Sequence, residues 1–340
     1  MNRNINYLVL GIFFLIFIIP LIGIFTKFEY NFNVIKTFLL NSYTHRIIFF
    51  SLYQALLSAL ISCIIAIPFS LALNRHKNLK IIKFIISLCG FCFVIPSILI
   101  VYAVIKLFGY NGFLNYNFNF YQYLNIESIY GLKAILIAHV LLNAPFASRL
   151  FFQNLNNIPH KYYNISRSLN LTYFANIIKL EIPIIKQSFF TVFSIIFALC
   201  FLSFAIVMAL GGSPQYSTIE VAIYQYALFE LNFNKAVLLS FLQIIICLVF
   251  IFIGFYKLKG SNFFEIDFNI YSHPHKDFLL IKTLDIVLIL IFSLILFSPI
   301  ILIFFNFLIN SFNIIYININ FIEALINSLI ISFLTGIIVT

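Results

Sequence analysis

Ser51, Gln54, Ser58 and Ser62 recur three or four residues apart in one long apolar run. His139 and Asn143 stand one helical turn apart ahead of Pro145, and Gln243 sits in another apolar run. Each of these fits a hydrogen bond between packed helices, and together they suggest a polar-lined passage, because polar groups in lipid turn toward a bundle interior or cavity. Covalent chemistry has no comparable set. The sequence contains no G-x-x-x-x-G-K-[ST] phosphate loop, no Ser/His/Asp constellation and no paired carboxylates inside an apolar run. His273–Pro274–His275 lacks companion ligands and reads as a loop feature, and Cys63, Cys89, Cys92, Cys200 and Cys247 all lie in apolar runs as small hydrophobes, so no metal site is expected. The residues predict a transporter or channel-like part, not an enzyme.

The elements that hold these groups follow from composition. Of 340 residues, 63% are hydrophobic and 9% charged, and the mean hydropathy is +1.08. A soluble domain carries roughly 25% charged residues, so the bilayer is the solvent here. Charge-free windows predict spans at 4–26, 47–74, 84–105, 134–148, 187–219, 236–256, 286–322 (with a polar link at its end) and 324–340. Lys133 and Arg149, which flank the short fourth window, can snorkel to the interfaces.

Alternating the connections gives one side Arg3, Arg75, Lys77, Lys80, Lys83, Arg149, Lys161, Arg167, Lys179, Lys186, Lys257, Lys259, Lys276 and Lys282, and the other only Lys27, Lys36, Arg46, Lys106, Lys133 and Lys235. The positive-inside rule makes the first side, and the N-terminus, cytoplasmic. The formal net charge of +10 is thereby explained by topology, with no nucleic-acid partner implied.

The chain also echoes itself. Phe14 to Pro20 is repeated near Phe292 to Pro299, and Ser51 to Ala59 near Ser328 to Gly336. Duplicated helical units are common in transporters. The expected division is a first six-span unit at 1–260, a cytoplasmic linker at 261–282 and the start of a second unit at 283–340. A second unit holding two spans where the first holds six predicts a fragment or a split reading frame.

The most informative connection runs from Asn154 to Gln187, interrupted by Pro159 and Pro183. Tyr162, Ile165, Leu169 and Tyr173 recur at helical spacing, with Lys161, Asn164, Arg167 and Ser168 on the other faces, which predicts a short amphipathic helix bounded by the two prolines. Such a helix lies on a membrane surface or enters a groove on a partner. Farther on, Gly211–Gly212 and Pro214 should end a helix at the external face, and Thr218, Glu220 and Tyr224 are spaced to restart one. This is a gate or docking ledge, or a turn followed by an interfacial piece.

Asn164–Ile165–Ser166–Arg167–Ser168–Leu169–Asn170, with Ile182–Pro183 following, resembles the cytoplasmic E-A-A-x-x-x-G loop of binding-protein-dependent ABC importer permeases. Asn164 replaces the acid, Ile165 and Ser166 the alanines, and Asn170 the glycine. Asn tolerates the left-handed backbone such a glycine supplies. Ala138 to Leu150 and Gly211 to Gln225 resemble the thiamine-importer branch of that family, with iron(III) importer permeases as its relatives.

The resemblance implies an all-α polytopic helical bundle of the bacterial inner membrane: a six-span permease unit plus the first two spans of another. It implies a coupling contact at Asn164 to Asn170 and Pro183 with a cytoplasmic ABC ATPase dimer that carries the ATP and Mg, so no cofactor is expected on this chain. It also implies a periplasmic substrate-binding protein and a small-molecule cargo, thiamine or a related cation, for which Glu220 and Tyr224 could supply charge and cation–π contacts. The candidate path or gate is then Gln54, His139, Asn143, Gly211, Gly212, Pro214, Glu220, Tyr224 and Gln243. An ion-coupled secondary transporter is the alternative class, disfavoured because no acid falls in the middle of a span.

Overall fold

The computed structural model describes residues 32–119, 121–122, 128–256, 273–274, 278–311 and 319–339, with scattered positions between 11 and 23. All regular structure among them is helical. The expected span 4–26 and the linker 261–282 fall largely outside the described residues.

A short helix, α1 (Phe32–Leu39), leads to α2 (Ser42–Arg75), whose 34 residues rise about 50 Å, well beyond a hydrocarbon core of about 30 Å. Asn41 caps α2, its side-chain oxygen accepting from the Tyr43 amide at 3.0 Å. Helices α3 (Lys80–Phe91), α4 (Ser97–Phe108), α5 (Phe113–Phe118) and α6 (Leu132–Asn156) follow. The connection then forms α7 (His160–Ser168) and α8 (Tyr173–Asn176), which runs through a π-turn at Ile177–Glu181 into α9 (Ile182–Phe201). Next come α10 (Ala205–Leu210), α11 (Ile219–Tyr224) with a π-turn at Gln225–Phe229, and α12 (Phe233–Tyr256). The last helices are α13 (Leu279–Ser311) and α14 (Ile319–Val339).

Small residues decide which helices meet. Ala55, Ala59 and Cys63 on α2, and the pairs Ala134/Ala138 and Ala144/Ser148 on α6, are fully buried and four apart, and among the described residues these two helices share the most extensive contact. With no hydrophobic drive between helices in lipid, close backbone approach through small side chains is what favours association. α9 packs beside them, and α12 joins α9 through stacked Phe197 and Phe250 and a hydrogen bond from Thr191 Oγ1 to the Gly254 carbonyl at 3.0 Å. Large apolar residues such as Phe49, Ile64, Leu248 and Phe252 stay exposed, as a lipid-facing surface requires.

Six of the described helices are long and apolar enough to cross a membrane: Ser42–Arg75, Ser97–Phe118 (α4 and α5 together), Leu132–Asn156, Tyr173–Phe201, Phe233–Tyr256 and Leu279–Phe305. Two expected spans are corrected. The window 84–105 is broken at Cys92–Pro96 between α3 and α4, where Pro96 lacks an amide donor and forces Ile95 out of the helical region. The window 187–219 is broken twice, at Leu202–Phe204 and again at Gly211–Thr218. α13 packs its Ile289, Leu296 and Phe297 into the same core as Phe69 and Ala138, and α14 is exposed wherever its side chains are described.

Candidate functional site

Two of the three helix breaks, Cys92–Pro96 and Leu202–Phe204, converge on the polar residues of α2 and α6. Where α9 stops at Phe201, the Cys200 carbonyl accepts only a long 3.4 Å bond from the Ser203 amide along the backbone, and Gln54 Nε2 donates to it as well at 3.2 Å. Asn143 Nδ2 donates to Cys200 Sγ at 3.2 Å, and Ser58 Oγ lies 3.0 Å from His139 Nδ1. Gln54, Ser58, His139 and Asn143 are all at least 95% buried. Beside them opens a cavity of about 310 Å³, lined by His139 and Asn143 from α6, Phe93 and Ser97 from the first break and Leu202, Ser203 and Phe204 from the second. Of the path residues expected from sequence, the structure thus gathers Gln54, His139 and Asn143 at one place.

The others form a second group at the far end of α10. Gly212 has φ +72°, and the backbone passes through a cis Ser213–Pro214 bond before α11 restarts after Thr218, as the Gly-Gly and Pro spacing predicts. The loop is anchored: the Ile219 amide donates to Ser51 Oγ at 2.8 Å, Gln225 Nε2 donates to Ser213 Oγ at 3.0 Å, and the Gly131 amide donates to the Leu210 carbonyl at 2.8 Å. Gly131 has φ +91°, and a Cβ there would meet the Tyr216 ring at 2.8 Å, so only glycine fits. Glu220 accepts from Gln243 Nε2 at 2.5 Å, and the Tyr224 ring packs at a tilt of 50° against Phe204, a wall of the cavity, at 4.9 Å between ring centres. The two groups therefore touch through Phe204.

The connection before α9 holds the third group. α7 begins after Pro159 and ends in a hydrogen-bonded pair, Asn170 N to Arg167 O and Leu171 N to Ser166 O, both 3.1 Å, with Asn170 left-handed at φ 46°. This is the helix stop a glycine commonly supplies. Tyr163 and Ser166 face inward, and Ser166 Oγ donates to Asn176 Oδ1. Thr172 Oγ1 accepts from the Ala175 amide at 3.4 Å and starts the next helix. The inward side of α7 is thus fixed, while Tyr162, Asn164, Ile165, Arg167, Ser168, Leu169 and Asn170 are exposed, Ile165 at 53% and Leu169 at 65%. Phe174, 72% exposed, extends the apolar surface.

One expectation about this segment changes. Pro183 does not bound it, because α8, the π-turn and α9 are continuous through Ile182–Pro183. The wider π-turn accommodates the hydrogen bond a proline cannot donate, and the segment ends instead at Asn170–Thr172.

A buried ionic cluster beneath α7 escaped the sequence reading. Arg75, at the end of α2, donates from Nε and Nη2 to both oxygens of Asp285 on α13, at 2.8 and 2.6 Å. His76 Nε2 lies 3.1 Å from Asp285, and Glu181 in the π-turn lies 3.8 Å from Arg75 and 3.2 Å from His273. Tyr173 lies under the guanidinium at 5.3 Å, and Tyr163 of α7 meets the His273 ring edge-on. The three partners of Glu181 and Asp285, Arg75, His76 and His273, come from positions remote in sequence or from the 273–274 stretch read as a plain loop. No group of three or more His, Cys, Asp or Glu among the described residues is arranged to hold a metal ion.

This arrangement of interrupted spans around a largely apolar cavity with a few polar groups, with an exposed helix between two of them, has the fold of ABC importer permeases. Superposition on a chain of a bacterial ABC transporter involved in the import of the acidic polysaccharide alginate gives a TM-score of 0.59 at 18% identity, covering 74% of this chain and 93% of that one. The same transporter with an alginate pentasaccharide-bound periplasmic protein gives 0.60 at 16% identity, covering 75% and 93%. By sequence the chain is similar to thiamine transport system permease proteins. It is 36% identical over 261 residues to ThiP of Haemophilus influenzae, covering 76% of this chain and 48% of that protein. Against ThiP of Escherichia coli it is 37% identical over 214 residues, covering 61% and 39%. It spans about half the length of these relatives or less. No protein-family profile matches the chain.

Proposed function

We propose that this chain is the membrane-spanning permease subunit of an ABC importer in the bacterial inner membrane. In this reading it passes thiamine or a related small organic cation from a periplasmic binding protein to the cytoplasm by alternating access. ATP and Mg act on a separate cytoplasmic ATPase dimer, and this chain contributes conformational change, not covalent chemistry. The observation that carries the reading is the exposed apolar edge formed by Ile165 and Leu169 of α7 and continued by Phe174 of α8, on a segment whose other side is pinned. A helix held this way transmits a push to the spans on either side of it, whereas a helix free to roll on lipid does not.

The excess of basic residues on the side that carries α7 supports a cytoplasmic position for it and for the N-terminus. Residues 1–260 make the first permease unit in this account and 283–340 begin a second, with α13 strapped to the first through Asp285 and Phe297. The names of the sequence relatives favour thiamine over iron(III). Glu181 and Asp285, the buried acids an ion-coupled transporter would use, are occupied by Arg75, His76 and His273, which favours ATP as the energy source.

Vesicles bearing this chain with its ATPase and binding protein should accumulate labelled thiamine only when ATP is supplied, with excess iron(III) failing to compete. Uptake driven by an imposed proton or sodium gradient without ATP would contradict the proposal.

A further inference from the structure

The cavity between the two helix breaks has a composition that selects what enters it. Its lining residues include no Asp, Glu, Lys or Arg and no Tyr. A bare cation there would lose its hydration with no counter-charge, and iron(III) would find none of the anionic oxygens a hard ion needs. The polar groups are neutral ones, His139, Asn143, Ser97 and Ser203, set among Phe93, Phe204, Leu142, Leu199 and Leu202. A small apolar pocket of this size with a few convergent polar atoms is the usual form of a small-molecule site.

One of those atoms is unmet. His139 is 1% exposed, its Nδ1 is engaged by Ser58, and its Nε2 has no hydrogen-bond partner. Either tautomer leaves Nε2 the open group: a donor when Nδ1 accepts from Ser58, an acceptor when Nδ1 donates. A buried polar atom without a partner is costly to keep, and a ligand that meets it removes the cost. Asn143 gives its amide nitrogen to Cys200, which leaves Oδ1 to accept from a ligand.

We propose that this cavity is a cargo subsite that takes the uncharged nitrogen heterocycle of the transported cation, with His139 Nε2 and Asn143 Oδ1 hydrogen-bonding the ring edge. The inference rests on the thiamine-importer reading and adds to it which end of the cargo is read, and by which atoms. The aromatic wall of Phe93 and Phe204 suits a flat ring. The positive end of the cargo lies outside the cavity, toward Tyr224 beyond Phe204.

The test compares the intact transporter carrying wild-type chain, His139→Leu, His139→Gln or Ser58→Ala. Each is offered labelled thiamine in competition with an analogue lacking the exocyclic amino group of the pyrimidine ring. Both compounds carry the same thiazolium charge, and the binding protein and ATPase are the same throughout, so a change in preference belongs to this chain. His139→Leu should narrow the preference for thiamine about tenfold, the effect of one hydrogen bond to a buried partner. His139→Gln should restore a substantial part of it, and Ser58→Ala should fall between.

An unchanged preference in His139→Leu, with both compounds still taken up, would overturn the subsite while leaving the importer intact. So would an equal fall in uptake of both compounds that His139→Gln does not rescue, since that marks a packing role. Absence of ATP-driven thiamine uptake by the wild-type transporter would overturn the importer reading, and the subsite with it.

Discussion

Replacing Ile165 and Leu169 together by Asp should abolish ATP-driven uptake while the chain remains folded in the membrane. Both side chains are more than half exposed, so neither substitution opens a cavity in the bundle. Folding is therefore affected only slightly, as for surface changes elsewhere, within about 0.5 kcal/mol. The partner complex is affected much more. An apolar anchor seated in a groove is the kind of residue whose loss costs about 2 kcal/mol or more, and a carboxylate left desolvated in the same groove adds to that. ATP hydrolysis by the partner should continue without transport, or the partner should no longer copurify. Substituting Lys161 by Ala serves as the comparison, since it lies on the polar flank of the same helix and outside the Asn164 to Asn170 contact. If the Asp pair transported like wild type, α7 would not be the lever.

The second large effect lies in the ionic cluster. Arg75→Met should destabilise the chain by about 3–5 kcal/mol, a considerable part of the 5–15 kcal/mol typical of a whole domain. The reason is not the lost attraction alone. With the guanidinium gone, Asp285 keeps only His76 and Glu181 keeps only His273, so two carboxylates remain in a site that is almost entirely closed to water. Removing Asp285 as well, in Arg75→Met with Asp285→Leu, should recover much of the loss, because a buried pair replaced as a unit by apolar side chains is close to neutral. The apparent unfolding temperature of the purified chain checks both variants. A double variant as unstable as Arg75→Met would show that the arginine does not stabilise the chain through Asp285, leaving Glu181 and the packing on Tyr173 as its partners.

If α7 couples to an ATPase as proposed, the cluster would carry a push on it into the bundle. Tyr163 on its inner side touches His273, His273 touches Glu181, and Glu181 shares Arg75 with Asp285. Four segments, α2, α7, the π-turn before α9 and the start of α13, are joined by that short chain of contacts. A polar network in a dry site has few alternative arrangements, so it moves as a block.

How much of this the sequence discloses depends on whether a feature is local. The long helices are legible because each is an uncharged run of sufficient length, and the α7 stop is legible because Asn170 is one of the few residues that accept a left-handed backbone. The Gly211–Gly212–Pro214 turn is legible for the same reason. The break at Leu202–Phe204 is not: Phe201–Leu202–Ser203–Phe204 contains no Gly, Pro or charge, and the group that meets the Cys200 carbonyl from outside the helix, Gln54, lies 146 positions away. Pro96 did signal the other break, but the surrounding apolar run concealed it. Arg75, Glu181 and Asp285 each look like an ordinary charge at the edge of a span. Only the fold, by bringing three such edges together, makes them a cluster. The orientation of α7 was legible as a periodicity, but which side faces out was decided by Ser166 meeting Asn176.

The most direct test of the lever places a single cysteine at Leu169. The five native cysteines are all buried, so the introduced thiol reports alone. The account predicts labelling by a membrane-impermeant maleimide in inside-out vesicles only, and protection from it when the ATPase is bound. Labelling from the outside in right-side-out vesicles, or labelling that is indifferent to the ATPase, would contradict it.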